Sequence, residues 1–248
     1  MHGFLSRSNV LLEAYQDAIY HTQNVAKGFE SSLKLGIGVY EHLILHDILA
    51  KYADIYPKAD IICSQFLYKA LAEHLSDRLV DIIISTDQYP YLIPNVEYFS
   101  IDDRPWRFIC SLRHPLAARE KVALSEFSNE DFITMNDGTD EQIRRNYLPH
   151  GFNFRRFYRV NSYNTKLLMT RSGLGISTVP EFVVPYLPKD LCALNTSPPY
   201  RVRKFVVAWL KDNNNPAVKN FIDILASFID KNGILQSPPP QAIPLGSI

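Results

Sequence analysis

The chain has 248 residues, and its 26 Lys and Arg residues balance 26 Asp and Glu residues. Hydrophobic residues make up 46% of the sequence and charged residues 21%, a composition typical of a globular protein with a substantial core. Proteins that bind DNA by neutralising phosphates usually carry a basic excess. The zero formal net charge therefore argues against nucleic-acid binding by this chain alone.

The three cysteines, Cys63, Cys110 and Cys192, lie far apart in the sequence and form no CxxC pair. Their odd number and wide spacing favour buried, reduced thiols over a disulfide framework or a metal site. No segment reaches the roughly 18 consecutive apolar residues of a membrane span. The N-terminus lacks the basic segment and apolar run of a secretory signal. These features predict a cytoplasmic protein without a membrane contact, a metal or a cofactor.

Residues 5–31 are predicted to form one long helix with a coiled-coil seam, because apolar residues recur at spacings of four and three. The alternative is an amphipathic helix that folds onto its own domain. We favour pairing with a second chain, since no lobe on the N-terminal side could cover the helix. The residues expected to form this oligomer contact are Leu11, Tyr15, Ala18, Val25 and Phe29.

Strands and helices alternate from Leu33 onward. Two strand–helix–strand units in succession predict a parallel sheet with right-handed crossovers. Two such halves of similar size predict two lobes around a cleft, with a ligand site beyond the strand C-termini. The predicted strands are 33–39, 60–63, 80–85, 96–100, 107–111, 132–135, 156–160, 175–179 and 203–210. The predicted helices are 43–52, 66–75, 139–148, 162–172 and 216–229.

Five sequence blocks follow one another in a fixed order over about residues 5–230. They are residues 35–57 (LGIG to YP), 71–84, 106–117 (ending RHPLA), 173–180 (GLGISTVP) and 207–221. Each block alone is a weak signal. The ordered set resembles the linker helix and substrate-binding domain of LysR-type transcriptional regulators.

This resemblance implies an α/β, two-lobed fold like that of type II periplasmic binding proteins, with an N-terminal linker helix. The implied parts are a linker and dimerisation helix at 1–32, an effector-binding domain at 33–235 and a disordered tail at 236–248. Within the domain, lobe one would comprise 33–110 and 212–235, and lobe two 111–211.

The resemblance also implies a regulatory module that senses a small-molecule effector in the inter-lobe cleft and forms a homodimer or homotetramer. DNA contact would require a winged helix-turn-helix head, which this sequence does not contain. The alternatives are a solute-binding protein of a transporter or, less well supported, an enzyme on the same fold. An enzyme is disfavoured because the sequence has no GxSxG elbow, P-loop or complete GxGxxG.

Three positions depart from the family pattern. Phe66 stands where the family has a glycine, Tyr68 where it often has a small hydroxyl residue, and Arg78 where it has another glycine. Two bulky aromatic residues at the edge of the cleft are expected to shrink the pocket or favour a flat, apolar ligand.

Candidate ligand-binding residues follow the predicted strands, where unpaired helix N–H groups favour anions. Glu41 either caps such a helix end or faces the cleft, where it would disfavour an anionic effector. The polar residues at 136–139 and 161–165 have the spacing of helix caps, so capping is the alternative to ligand contact. The candidate set is Val39, Tyr40, Glu41, Phe66, Tyr68, Asn136, Asp137, Gly138, Asn161, Ser162 and Thr178.

Two further groups of polar residues are best explained by ordinary surface roles. His42 and His46 are four residues apart on one predicted helix, but no third metal ligand is identifiable, so a polar helix face is the better interpretation. Five arginines between 144 and 159 form a basic cluster in the second half. Local ion pairs on a solvated face are expected there, with an anion or partner-lobe contact as the alternative.

Overall fold

The computed structural model describes residues 31–136, 138–201, 203–230 and 233–235. The described chain divides into two compact units. Unit 1 comprises residues 31–103 and 203–235, and unit 2 comprises residues 104–201. The predicted linker helix, its seam and the tail lie outside the described residues. No helix of the described part is long and apolar enough to cross a membrane.

Unit 1 is built on one sheet with the strand order β2-β1-β3-β12-β4. Strand β1 is parallel to β2 and β3, and β12 is antiparallel to β3 and β4. The strands are β1 (Ser31–Ile37), β2 (Ala59–Gln65), β3 (Ile82–Thr86), β4 (Val96–Asp102) and β12 (Phe205–Leu210). The helices are α1 (His46–Ile55), α2 (Tyr68–Ser76) and α5 (Pro216–Ala226).

The centre of this sheet is apolar because its strands are covered on both faces. Ile82, Ile83 and Ile84 of β3 are each 0% exposed, as a continuous apolar run in a fully buried strand requires. Amphipathic helices provide the cover: α2 buries Leu71 and Leu75, while α5 buries several apolar side chains of its own. The predicted alternation of strand and helix in the first half is confirmed.

Unit 2 contains three smaller groups of strands. An antiparallel sheet has the order β10-β5-β9, and two parallel pairs are β7 with β8 and β6 with β11. The strands are β5 (Trp106–Ser111), β6 (Val122–Ala123), β7 (Asp131–Thr134), β8 (Arg156–Arg159), β9 (Ser177–Pro180), β10 (Leu191–Ala193) and β11 (Thr196–Ser197). The helices are α3 (Asp140–Tyr147) and α4 (Tyr163–Arg171).

Aromatic side chains form the core of unit 2. The ring of Phe108 is 0% exposed and lies 4.1 Å from that of Phe127 and 4.9 Å from that of Tyr200. The rings of Phe132 and Phe154 stack at 4.2 Å. Such pairs add to the free energy of burial of each large ring.

The limits of the two units correct those expected for the two lobes. Strand β5 had been assigned to lobe one, but it pairs with β9 and β10 of unit 2. Strand β12 had been assigned to lobe two, but it lies between β3 and β4 of unit 1. An apolar run shows that a strand is buried without showing which sheet accepts it, so one strand at each crossover was misplaced.

We predict that Phe108→Ala destabilises the protein by about 3–5 kcal/mol, because it leaves a large cavity among the aromatic rings. Urea unfolding followed by tyrosine fluorescence would measure the change in free energy of unfolding. Tyr98→Ala is the control, since this ring is 48% exposed on β4; its effect is expected to stay below about 1 kcal/mol. Equal losses in the two variants would contradict the assigned core.

Candidate functional site

In unit 1, the three parallel strands end at the same edge of the sheet, where polar and aromatic residues come together. Strand β1 leads into the turn 39–41, β2 into Phe66, and β3 ends in Ser85 and Thr86 followed by Asp87. Strand β12 is antiparallel and begins at this edge, with Phe205 opposite Thr86. This edge is where open α/β sheets place their ligands.

Glu41 is the most perturbed group at this edge. It begins a short 3-10 helix, is 0% exposed, and its Oε2 accepts a hydrogen bond of 2.9 Å from the Tyr40 N–H. Burial raises the pKa of Glu41 to about 8, against the lowering effect of backbone hydrogen bonds at Glu41 and Tyr40 and of the Tyr68 hydroxyl. The carboxyl group is therefore mainly neutral at pH 7. The hydrogen bond from the Tyr40 N–H supports the interpretation in which Glu41 caps its own turn, while a role facing the cleft stays a prediction.

Tyr68 fills the space beside this carboxyl group. A Cβ atom on Gly38 would lie 2.2 Å from Cε1 of Tyr68 and 2.6 Å from Oε1 of Glu41, so only glycine allows this approach. Burial, reinforced by the charge of Glu41, raises the pKa of Tyr68. Glu41 Oε1 and the Tyr68 hydroxyl oxygen are both buried, and each group shifts the pKa of the other.

The residues around this turn come from β2 and α2. Gln65, which sequence reasoning missed, donates from Nε2 to the carbonyl oxygens of Gly38 and Val39 at 3.0 and 3.3 Å. Phe66 is partly exposed, and its ring lies 4.2 Å from that of His74. The structure thus brings Val39, Tyr40, Glu41, Phe66 and Tyr68 together at one edge of unit 1.

Sequence reasoning also missed the polar residues at the end of β3 as candidate site residues. Ser85 is 0% exposed and Thr86 is 2% exposed. Within the described part of the chain, Ser85 Oγ, Thr86 Oγ1 and Asp87 Oδ1 are buried without a hydrogen-bond partner. The signal was present in the sequence, where two hydroxyl residues and an aspartate follow three isoleucines.

In unit 2, the candidate residues follow the parallel strands β7 and β8. Asn136 is exposed, and its Oδ1 accepts a 2.9 Å hydrogen bond from the Gly138 N–H. The predicted capping box of Thr139 and Gln142 is confirmed at the start of α3. Arg159 donates to the Gly138 carbonyl, which ties the two strand ends together. Asp137 lies outside the described residues.

Ser162 caps α4, as expected: its Oγ accepts from the Thr165 N–H at 3.2 Å. Asn161, just before it, is exposed. Thr178 lies inside β9 opposite Phe108 and is only 7% exposed, so it is less accessible than the other unit 2 candidates that the structure describes. Sequence reasoning missed Lys166 on α4, which is 3% exposed and whose pKa burial lowers to about 7.

The basic cluster of unit 2 consists of ion pairs and backbone contacts, as expected. Asp131 accepts from Arg155 at 2.8 Å and from Arg156 at 2.5 Å, and these hydrogen bonds lower its pKa despite some desolvation. Arg145 pairs with Glu141 and Arg159 with Asp140. Arg144 donates to Asn153 and to the Phe154 carbonyl. Four of the five arginines thus pair with a carboxylate, and Arg144 donates to neutral acceptors.

Unit 2 also has an open cavity of about 350 Å³ that the sequence did not suggest. Arg107 lies in its wall and donates to Glu181 at 3.2 Å and to the Leu194 carbonyl at 3.1 Å. This arginine is therefore already neutralised by a neighbour. The other lining residues are Arg104, Pro105, Trp106, Thr196 and Pro199.

Comparison with known proteins identifies the family. The family model described as the LysR substrate binding domain matches residues 26–229. The chain belongs to this family. It is therefore the effector-binding regulatory module of a LysR-type transcriptional regulator, and the family and fold expected from the five sequence blocks are confirmed.

One curated relative and two solved structures illustrate this likeness. The HTH-type transcriptional regulator AlsR of Bacillus subtilis (strain 168) is 22% identical over 233 residues, 89% of this chain and 74% of AlsR. The BenM effector binding domain with its effector benzoate has a TM-score of 0.70 and 16% identity, covering 85% of this chain and 97% of that one. Full-length CbnR complexed with its target DNA has a TM-score of 0.71 and 16% identity, covering 91% of this chain and 80% of that one.

We predict that Glu41→Gln becomes more stable relative to the wild type as the pH rises. The folded pKa of about 8 exceeds the ordinary value of 4.5, so the wild type retains this contribution to stability below about pH 4.5 and loses it as the pH rises through 8. The slope is ~1.4 kcal/mol per pH unit at most. Urea unfolding of both proteins from pH 5 to 9 would measure the difference.

The control for this titration is Glu73→Gln on α2, because the Glu73 side chain is 60% exposed and pairs only with Lys69 over one helical turn. This variant measures the effect of replacing an exposed carboxylate with an amide. A stability difference for Glu41→Gln that does not change with pH would show that Glu41 is ionised in the folded protein.

Proposed function

We propose that the effector contacts the polar strand ends of unit 1, and that Ser85, Thr86 and Asp87 take part. The supporting observation is that all three bring buried polar atoms without a described partner to one edge. Buried polar groups in native proteins are nearly always hydrogen-bonded, and leaving one unpaired is unfavourable by about 1–3 kcal/mol. Effector groups or ordered water would provide the missing partners.

The chemistry of this edge favours a flat, largely apolar effector that carries hydrogen-bonding groups. Phe66 and Tyr68 provide aromatic surface, and the two hydroxyl groups after β3 can donate or accept. Glu41 is mainly neutral at pH 7, so it does not repel an anionic group at that pH. Val39 and Tyr40 are the remaining candidates at this edge.

In unit 2, we propose effector contacts at Asn136, Gly138, Asn161 and Ser162, with Asp137 and Thr178 as further candidates. The exposed amides of Asn136 and Asn161 support this assignment best. Ser162 already uses its hydroxyl to cap α4, and Thr178 is buried. A contact with either would require the effector to share or displace an existing interaction.

We further propose that the module works in the cytoplasm as a homo-oligomer and catalyses no reaction. The support is that the matched relatives are transcriptional regulators and that the apolar spacing in residues 11–29 predicts a coiled-coil seam. A sensor of this kind requires different effector affinities in two conformations.

Changes at the unit 1 edge should alter ligand-induced stabilisation. We predict that Phe66→Gly changes which compounds of a metabolite library raise the melting temperature, and that Thr86→Val lowers the shift for wild-type ligands. A ligand at a hundredfold excess over Kd adds about 2.7 kcal/mol, which thermal-shift assays detect. Tyr98→Ala on β4 is the control. If the same compounds raised the melting temperatures of Phe66→Gly, Thr86→Val and the wild type by equal amounts, the proposed effector contact at this edge would be contradicted.

The seam predicts a specific loss of assembly. Replacing both Leu11 and Val25 with Asp should reduce the mass measured by light scattering, because two charges would enter an apolar contact. The control carries Asp at Gln16 and Gln23, which the same spacing predicts to lie on this helix outside the seam. A wild type that is monomeric at high micromolar concentration, or an equal effect of both double variants, would contradict the seam.

A further inference from the structure

Two of the cysteines meet in unit 2 although 82 positions separate them. Cys110 of β5 lies directly opposite Cys192 of β10 in the antiparallel ladder, and their Sγ atoms are 3.6 Å apart. The sequence predicts three buried, reduced thiols, but only Cys110 is fully buried, since Cys63 is exposed and Cys192 is partly exposed. Strand pairing between distant segments creates this dithiol.

The backbone at this point suits a covalent link. The Leu194 N–H donates to the Phe108 carbonyl and the Leu112 N–H to the Asp190 carbonyl, each two residues from the cysteine pair. Ladder hydrogen bonds alternate in an antiparallel pair, so Cys110 and Cys192 are a hydrogen-bonded pair with Cα atoms ~5.5 Å apart. Disulfides span Cα separations of about 4.4–6.8 Å. The two sulfur atoms, now 3.6 Å apart, must approach to about 2.0 Å to form the bond.

We propose that Cys110 and Cys192 form a reversible redox site, which a low-molecular-weight disulfide oxidises to a cross-strand disulfide. The proposal is independent of the effector site. It assigns a covalent modification to unit 2, in the sheet that also contains Thr178 on β9.

The burial of the two thiols sets the order of steps. Cys110 is 0% exposed, and burial raises its pKa, whereas Cys192 is partly exposed. The thiolate of Cys192 therefore attacks the small disulfide first, displacing one thiolate and leaving a mixed disulfide on Cys192. Cys110 then loses its proton and attacks Cys192 Sγ, displacing the second thiolate. Two protein thiols are oxidised, and one small disulfide is reduced to two thiols.

The test uses a Cys63→Ser background, because Cys63 is an exposed thiol of unit 1 and would react separately. The protein is equilibrated in buffers of oxidised and reduced glutathione at several ratios, quenched with acid and alkylated. We expect both remaining thiols to become protected, with a mass loss of two hydrogen atoms and no glutathione adduct. Digestion should yield one peptide pair joined through Cys110 and Cys192. The oxidised protein should also melt at a higher temperature than the reduced one.

Two single-cysteine variants and the unfolded protein test whether the disulfide depends on the folded geometry or only on the reactivity of the thiols. Cys192→Ser in the same background should leave the Cys110 thiol unmodified, and Cys110→Ser should leave a glutathione adduct on Cys192. Circular dichroism would check that each variant is folded, and the urea-unfolded background protein should form the link less readily than the folded one. Two alkylated thiols at the most oxidising ratio, or a persistent adduct on Cys192 with Cys110 present, would overturn the proposal.

Discussion

Burial of β3 between β1 and β12 is the constraint on which unit 1 depends. A strand covered on both faces can be apolar along its whole length, and Ile82–Ile84 satisfy this condition. The same burial means that a polar atom at the end of the strand cannot use bulk water as its hydrogen-bond partner. Ser85 and Thr86 continue the buried strand, so their hydroxyl groups lie beyond the reach of bulk water. The stability of the sheet and the chemistry of its edge thus have one origin.

Burial also determines the protonation state of Glu41. Its carboxyl group is enclosed by its own turn and the ring of Tyr68, and the missing Cβ of Gly38 makes room for both. Removing water from a carboxyl group disfavours the charged form, which is why its pKa rises despite the favourable backbone hydrogen bonds. A glutamate that would repel anions on an open surface is therefore compatible with many ligands here.

Unit 2 satisfies its polar groups differently. Its arginines pair with carboxylates and carbonyl oxygens within the unit, and Asp131 alone accepts from two of them. Its core consists of aromatic rings around Phe108. The proposed ligand contacts of this unit are instead neutral amide, hydroxyl and backbone groups at the ends of its strands.

The sequence by itself determined the order of the longer strands and of the helices, the helix caps at Thr139 and Ser162, and the family, because these depend on local periodicity and on short ordered motifs. The short strands β6, β10 and β11 were not predicted. Only the tertiary structure decided which sheet accepts β5 and β12, since both are apolar runs that fit either one. It also decided the environment of Glu41 and the meeting of Cys110 with Cys192. Such contacts arise when segments far apart in the sequence pair with each other. The spacing of residues along the chain does not predict this pairing.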